Sequence, residues 1–420
     1  MKVLFINTSE NTGGAAVAAN RLMEALIADG ITAQMLVMHK SSDKPHVIIA
    51  GSKTKRLISF LLERITIWAN NLFSRKNLFK ISIANTGVDV TSLPEFKSAD
   101  IIHLHWINQG MLSLNEIRRI IKTGKPIVWT MHDMWECTSI CHHAYECDKF
   151  KYGCSECQYL RFPSKKDLSY KVFRKKLEVF ADCGIHFVAV SSWLKKQAEQ
   201  SRILKGCSIS VIPNTLSTDD FTIFDKKESR RHFSLPEDSL IILFGAARID
   251  DPIKGLDILI DSIKYLTIRK PEIKDRLHLV MFGNIKNDKL LSHIPISYTC
   301  TGNINSTKEL SILYSAADVM VSASHYETFG QTLIEAQACG CLPVSFGNSG
   351  QSDIIEHLKN GYLAKYLSKE DLAEGILWAF ENKSHITKDY LRSGIKEKYD
   401  ISTIAEAYSK LYKTLIKHTR

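Results

Sequence analysis

Short β-rich apolar runs alternate with helix-length amphipathic stretches along this chain, and that alternation predicts a doubly wound α/β fold. A second observation divides the chain. The alternation stops in the polar stretch "VIPNTLSTDDF", where Pro213 and Asn214 mark a linker, and then begins again. Length supplies the third: 420 residues with 45% hydrophobic content are enough to bury two cores, as expected for two domains. The expected parts are a domain over residues 1–212, a second over 213–400 and a last helix within 401–420.

In the first half, apolar runs predict strands at residues 2–7, 33–38, 101–104, 127–131 and 186–190. The opening "MKVLFINTSENTGG" has too short an apolar run for a secretory signal and reads as the first strand. Its loop passes Gly13 and Gly14 into a helix over residues 15–26, a junction able to bring backbone N–H groups to an anion, or simply a tight turn. Ligands of such folds bind beyond the carboxyl ends of the strands. The strand in "IIHLHWINQG" delivers His103, His105 and Trp106 there, and the one in "PIVWTMHD" delivers His132 and Asp133. An aromatic ring at the first of these ends suits stacking on a sugar, and His105 is the better pocket candidate of its pair.

Between the second and third of these strands, residues 53–80 hold seven basic residues and one acid, Glu63, threaded through apolar ones. Leu57, Leu61, Ile65, Trp68 and Leu72 fall on one stripe at helical spacing. The stripe is read either as the buried side of a core helix or as a face resting on an anionic membrane surface.

In the second half, "LIILFGA", "LHLVMFG", "YTCTG" and residues 319–323 and 342–346 read as buried parallel strands. After the first comes "RIDDPIKG", whose Arg248 and Lys254 are candidates to neutralise a diphosphate; a helix follows Gly255. No D-x-D pair is present to hold a divalent metal, so side-chain cations are expected to do that work and no catalytic metal is expected. The segment "VMVSASHYETFGQTLIEAQACGCLPVSF" is the most informative. Glu327 lies in the loop after its strand, Gly330 allows close approach of backbone, and a helix from about Gln331 carries Glu335 just over a turn in. One acid is placed to accept bonds from sugar hydroxyls and the other from a ribose diol.

This segment resembles the signature of the family 4 retaining glycosyltransferases, which have the GT-B fold: two facing Rossmann-like domains with the active site in the cleft between them. The resemblance implies that Glu335 holds the nucleotide ribose, that Glu327 with Phe329 and Gly330 holds the donor sugar, and that His132 contacts that sugar near the reacting carbon. It implies a phosphate-approaching role for Gly13 and Gly14 and a base contact near Thr301, Gly302 and Asn303. Lys254 and Gly255 match the family pattern; one extra residue separates Arg248 from Lys254. Thr328 stands where many members have Gly, which narrows the expected sugar pocket. The last helix crosses back to the first domain in many such proteins.

Cysteine usage is uneven: five of the ten fall in "ECTSICHHAYECDKFKYGCSEC", an insertion spanning residues 137–157. Cys154 and Cys157 form a two-residue-spaced knuckle, and Cys141 and Cys147 precede it. Together these read as a structural zinc site, as unliganded thiols, or as a disulfide or other metal site, with Cys137, His142 and His143 as spare donors. A similar insertion occurs in relatives from exopolysaccharide and colanic-acid-type pathways. The cluster is expected to shape a loop over the acceptor pocket.

A formal charge of +10 suits an anionic partner. Basic residues are scattered and no aromatic platform accompanies them, which argues against nucleic acid. With no span-length apolar stretch, the expected place is the cytoplasm, possible peripheral contact with the inner face of its membrane included. The reading is therefore a retaining transferase moving a sugar from a nucleoside diphosphate sugar to a hydroxyl of a growing glycan, free or lipid-linked. Its rivals are a GT-B sugar-nucleotide epimerase and a basic zinc protein that binds nucleic acid.

Overall fold

The computed structural model describes residues 1–181 and 183–419. The chain divides into two compact units, Met1–Thr215 with Ile404–Arg420, and Leu216–Thr403. Among the described residues the first unit has strands β1 (Lys2–Ile6), β2 (Thr32–Val37), β3 (Val47–Ile49), β4 (Ile101–Leu104), β5 (Ile127–Met131), β6 (Ile185–Ala189) and β7 (Ser208–Val211). Those of the second are β8 (Leu240–Arg248), β9 (Leu277–Asn284), β10 (Ser297–Gly302), β11 (Val319–Ser322), β12 (Leu342–Phe346) and β13 (Tyr362–Ala364).

Each unit is one parallel sheet, in the orders β3-β2-β1-β4-β5-β6-β7 and β10-β9-β8-β11-β12-β13. The expected doubly wound α/β fold is therefore present twice. Central strands are buried and mostly apolar, as expected where helices cover both faces of a parallel sheet. β5 and β12 are buried along their whole length. In both sheets the order reverses direction once, between β1 and β4 and between β8 and β11, which opens a crevice at the carboxyl ends there.

The expected strands are found within a residue or two of their reading. The short strands β3, β7 and β13, all at or beside a sheet edge, were not anticipated. The last helix runs Ile401–Thr419, and its residues from Ile404 on belong to the first unit. There the Tyr408 hydroxyl meets Thr130 Oγ1 at 2.8 Å and the Tyr412 hydroxyl meets His103 Nδ1 at 2.6 Å.

One of the two readings of residues 53–80 is overturned. The helix Lys53–Asn70 buries Ser59, Glu63, Arg64 and Ile67, while Leu57, Leu61, Ile65, Trp68 and the following Leu72 are exposed. The apolar stripe is not a core face. Packing is instead set by polar bonds: Glu63 Oε1 accepts from the backbone N–H groups of Ile83 and Ala84 at 2.8 and 3.0 Å, and Glu63 pairs with Arg64. Gly110, at φ +88°, lies so close to this helix that an added Cβ would meet the Phe60 nitrogen at 2.7 Å.

Candidate active site

The second unit gathers its candidate residues at the reversal point of its sheet. Lys254 follows β8 and Glu327 follows β11, so strands neighbouring in the sheet deliver both. Lys254 Nζ lies 2.6 Å from Glu327 Oε1, which also accepts from Ser324 Oγ at 2.9 Å. The two loops meet because Gly255 has no side chain. At φ +70°, it packs against the end of β11, where a Cβ would stand 2.1 Å from the Ala323 carbonyl oxygen. The His325 N–H donates to the Ile253 carbonyl at 2.8 Å and closes the junction.

A third loop, after β12, completes the cradle. The Gly350 N–H donates to the Glu327 carbonyl at 2.8 Å, and the Glu327 N–H donates to Ser349 Oγ at 3.2 Å. The helix Gln331–Ala338 begins at Gly330, whose φ of +117° an L residue adopts only under strain. Its positive dipole end lies in the same loop cluster as Lys254 and Glu327. Glu335 stands a turn further along, buried, and its Oε2 accepts from the Tyr314 hydroxyl at 2.9 Å. Phe329 is buried against Tyr399 and serves packing through its ring.

Arg248 ends β8, after an irregularity in the β8–β9 register between Gly245 and Arg248. It is held at 3.2 Å by Asp251 and at 3.5 Å by Asp250. Gly302 ends β10 and Asn303 follows it, both exposed, with Asn303 Nδ2 donating to Asn305 Oδ1. They sit two strands from β8 and are not drawn into the Lys254–Glu327 cluster.

In the first unit, Gly13 (φ +90°) caps the helix Gly14–Ala28 after β1. A Cβ on either Gly13 or Gly14 would meet nothing within 4 Å, so open space faces this helix start. His105 and His132 follow β4 and β5, and His105 Nδ1 and His132 Nε2 share a hydrogen bond of 2.9 Å. Burial holds both imidazoles neutral: it lowers His132 to about 4 against the opposing pull of Asp133, and it lowers His105 well below the usual value. His105 is fully buried and therefore positions His132 rather than opening to solvent itself. Both line a small cavity with Leu22, Thr130, Asn214 and Tyr408.

Trp106 is half-buried, and its indole N–H donates to Asp133 Oδ2 at 2.8 Å. The same carboxylate takes His142 Nδ1 at 2.7 Å and, through Oδ1, the Trp135 N–H at 2.7 Å. Burial would raise the Asp133 pKa, but His142 and these bonds outweigh it and hold it at about 2. His142 also bonds Ser82 through its other nitrogen, so it is not a spare metal donor.

Beside this network lie Cys141, Cys147, Cys154 and Cys157, all as free thiols. Burial pushes Cys154 to about 12 and Cys157 to about 11, and Cys147, Cys154 and Cys157 are near enough to Cys141 to add to its rise. Among the described residues, however, no three His, Cys, Asp or Glu side chains are grouped closely enough to hold a metal ion.

Comparison with known proteins now bears on this geometry. The profile "Glycosyltransferase Family 4" matches residues 12–220, and "Glycosyl transferases group 1" matches residues 225–398. The chain belongs to the family 4 glycosyltransferases. Among curated relatives, the D-inositol 3-phosphate glycosyltransferase of Stackebrandtia nassauensis is 30% identical over 178 residues, 40% of each chain. The match thus spans about two fifths of that relative's length. The capsular polysaccharide biosynthesis glycosyltransferase CapM of Staphylococcus aureus is 22% identical over 62% of this glycosyltransferase and 70% of its own length. Among solved structures, the sucrose-phosphate synthase of Thermosynechococcus elongatus aligns with TM-score 0.68 at 17% identity, covering 99% of both chains. HepE of Anabaena, solved with UDP, aligns with TM-score 0.65 at 15% identity over 99% of this chain and 100% of its own. At such identities these likenesses establish the GT-B fold of the glycosyltransferase.

Several residues that build the site escaped the sequence reading. Tyr314 reaches Glu335 from a neighbouring helix, and Ser349 and Gly350 reach Glu327 from the loop after β12, contacts of which a one-dimensional pattern gives no sign; Ser324 bonds Glu327 within their shared loop. Only the Ser-Gly of "GNSGQSD" after an apolar run offered a hint, as a glycine loop at a strand end.

Proposed function

We propose that this glycosyltransferase moves a sugar from a nucleoside diphosphate sugar to a hydroxyl of a growing surface or extracellular polysaccharide, keeping the anomeric configuration. The observation that carries the proposal is the Lys254–Glu327 pair, set beside the start of the helix Gln331–Ala338 at the reversal point of the second sheet, with Glu335 one turn inside. A cation and a helix dipole face an anion there, and two carboxylates supply acceptors for hydroxyl groups. The donor diphosphate displaces Glu327 from Lys254, Glu335 takes the ribose diol, and the released Glu327 turns to the sugar. Arg248, on its acid-lined loop, reinforces the diphosphate contact. Support for the polysaccharide role comes from similarity to CapM, and for the donor class from HepE, whose structures contain UDP, or UDP and glucose.

In the transfer step the bond from the anomeric carbon to the diphosphate breaks, and a bond to the acceptor oxygen forms on the same face. The acceptor proton passes to the departing phosphate oxygen. Lys254 and the helix end stabilise the charge that grows on that phosphate. Neutral His132, held by His105, is the first unit's group for the sugar near the reacting carbon, with Gly13 and Gly14 leaving room for phosphate and Trp106 offering a ring to the acceptor. The enzyme is proposed to act in the cytoplasm at the inner face of the membrane; among the described residues no helix is long and apolar enough to cross one. A structural zinc on Cys141, Cys147, Cys154 and Cys157 is a proposal about the metal-loaded chain, supported by the two-residue knuckle spacing of Cys154 and Cys157 and requiring the four thiols to draw closer together than they stand in this structure.

The direct test incubates purified protein with a panel of nucleotide sugars, with and without glycan acceptors. Transfer to acceptor with the linkage configuration of the donor is expected. Conversion of the donor into an epimer without acceptor would replace this proposal by the epimerase reading.

A further inference from the structure

The helix Lys53–Asn70 is amphipathic in the inverted sense, with its polar side buried and its apolar side in solvent. At about 100° per residue, Leu57, Ile58, Leu61, Leu62, Ile65 and Trp68 fall within an arc of roughly 140°. All six are exposed, Leu57 at 54% and Ile65 at 53%. The patch continues past the helix in Phe73, 65% exposed and edge-on to Trp68, and in Phe79, 61% exposed. Scattered surface leucines need no explanation, but a continuous apolar helix face on a folded unit marks a surface that something covers.

Charge identifies the occupant. Lys53, Lys55 and Arg56 stand at the amino end of the helix, and Arg75, Lys76 and Lys80 follow its carboxyl end. No acid occupies the first turn, so three cations sit at the positive end of the helix dipole, where they oppose helix formation. Among the described residues none of these six forms an ion pair, and the acid of the stretch, Glu63, is buried against Arg64. Cations flanking an apolar strip at both ends match a bilayer surface whose headgroups are anionic and whose acyl boundary receives leucine, isoleucine and tryptophan. We propose that this face docks the first unit on an anionic lipid surface, with the helix lying in the plane of the interface. The inference is independent of the donor site.

Vesicle flotation with the full-length chain tests it, using phosphatidylcholine alone and phosphatidylcholine mixed with phosphatidylglycerol. The protein is expected to float with the mixed vesicles, to stay behind with the neutral ones and to be released by high salt. Each cation near an anionic surface is worth roughly a five-fold change in affinity, so Arg75→Ser, Lys76→Ser and Lys80→Ser together are expected to lower it about a hundred-fold. Leu61→Glu with Ile65→Glu is expected to abolish flotation while leaving the thermal unfolding midpoint unchanged, because both positions are exposed. Failure to float with mixed vesicles, equal recovery with neutral ones, or variants that float like the parent would each overturn the proposal. So would a lipid-free dimer that Leu61→Glu dissolves, which would assign the face to a second copy of the chain.

Discussion

Replacing Lys254 by Ala separates a binding role from a structural one. Lys254 pairs with Glu327 at 2.6 Å, and the two side chains keep 30% and 21% of their exposure. A pair this accessible contributes at most about 1 kcal/mol, so the variant should lose only about 2 to 4 °C of thermal midpoint for a unit of this size. Against a diphosphate the same ammonium makes charge-assisted bonds worth about 1.5 to 3 kcal/mol, equivalent to about ten- to a hundred-fold in affinity. The variant also leaves Glu327 facing the phosphates without a counter-charge. Calorimetric titration with UDP, GDP and ADP, using the tightest binder, should therefore show about a ten- to hundred-fold weakening. Glu327→Gln should do the opposite to the free nucleotide: it releases Lys254, so the diphosphate binds equally or more tightly while transfer falls. Binding within two-fold of the parent in Lys254→Ala, or an unfolding midpoint lowered by ten degrees or more with no selective loss of nucleotide, would refute the reasoning.

Replacing Glu335 by Ala should weaken nucleotide binding about ten-fold or more, whereas Tyr314→Phe, which removes only the bond that orients it, should change binding by a few-fold; titration calorimetry reads both. His132→Ala should lower the transfer rate more than it weakens donor binding. Because burial depresses His132 to about 4, the rate should show no His132 limb between pH 6 and 8, and a limb near 6.5 that vanishes in His132→Gln would contradict this. The same depression makes stability fall with acid: the unfolded imidazole takes up its proton near pH 6.5 and the folded one only near 4, so His132 stabilises above that window and the contribution is lost on descending through it. Metal analysis of protein purified without added zinc should give about one equivalent per chain, and less than about half an equivalent would remove the zinc proposal.

Much of the fold was legible because its central strands are β-rich and mostly apolar, as at Ile127–Met131 and Val319–Ser322. β3, β7 and β13 were not legible, since three or four half-exposed residues such as Ser208–Val211 carry too little pattern to separate from loop. The candidate residues of the second unit were readable where backbone geometry constrains sequence: Gly330 at positive φ, Gly255 against Ala323 and Glu335 at a fixed offset into its helix. Tyr314 and Ser349 were hidden because their contacts depend on a second helix and a second strand-end loop packing against the site, and Ser324 because a serine three residues before Glu327 carries no pattern of its own. His105 was recognised as a strand-end residue, but its complete burial behind His132 was not foreseeable from spacing. The helix Lys53–Asn70 marks the sharpest limit: its period showed an apolar stripe, while the buried Glu63–Arg64 pair decided that the stripe faces outward.

The central claim is that a nucleoside diphosphate sugar is held by Lys254, the start of the helix Gln331–Ala338 and Glu335. A crystal structure of the protein soaked with its best-binding nucleotide sugar tests it most directly. The account predicts the diphosphate beside Lys254 and the helix start, the ribose on Glu335, and the Lys254–Glu327 pair broken. A ligand bound elsewhere, or that pair intact beside a bound nucleotide, would contradict it.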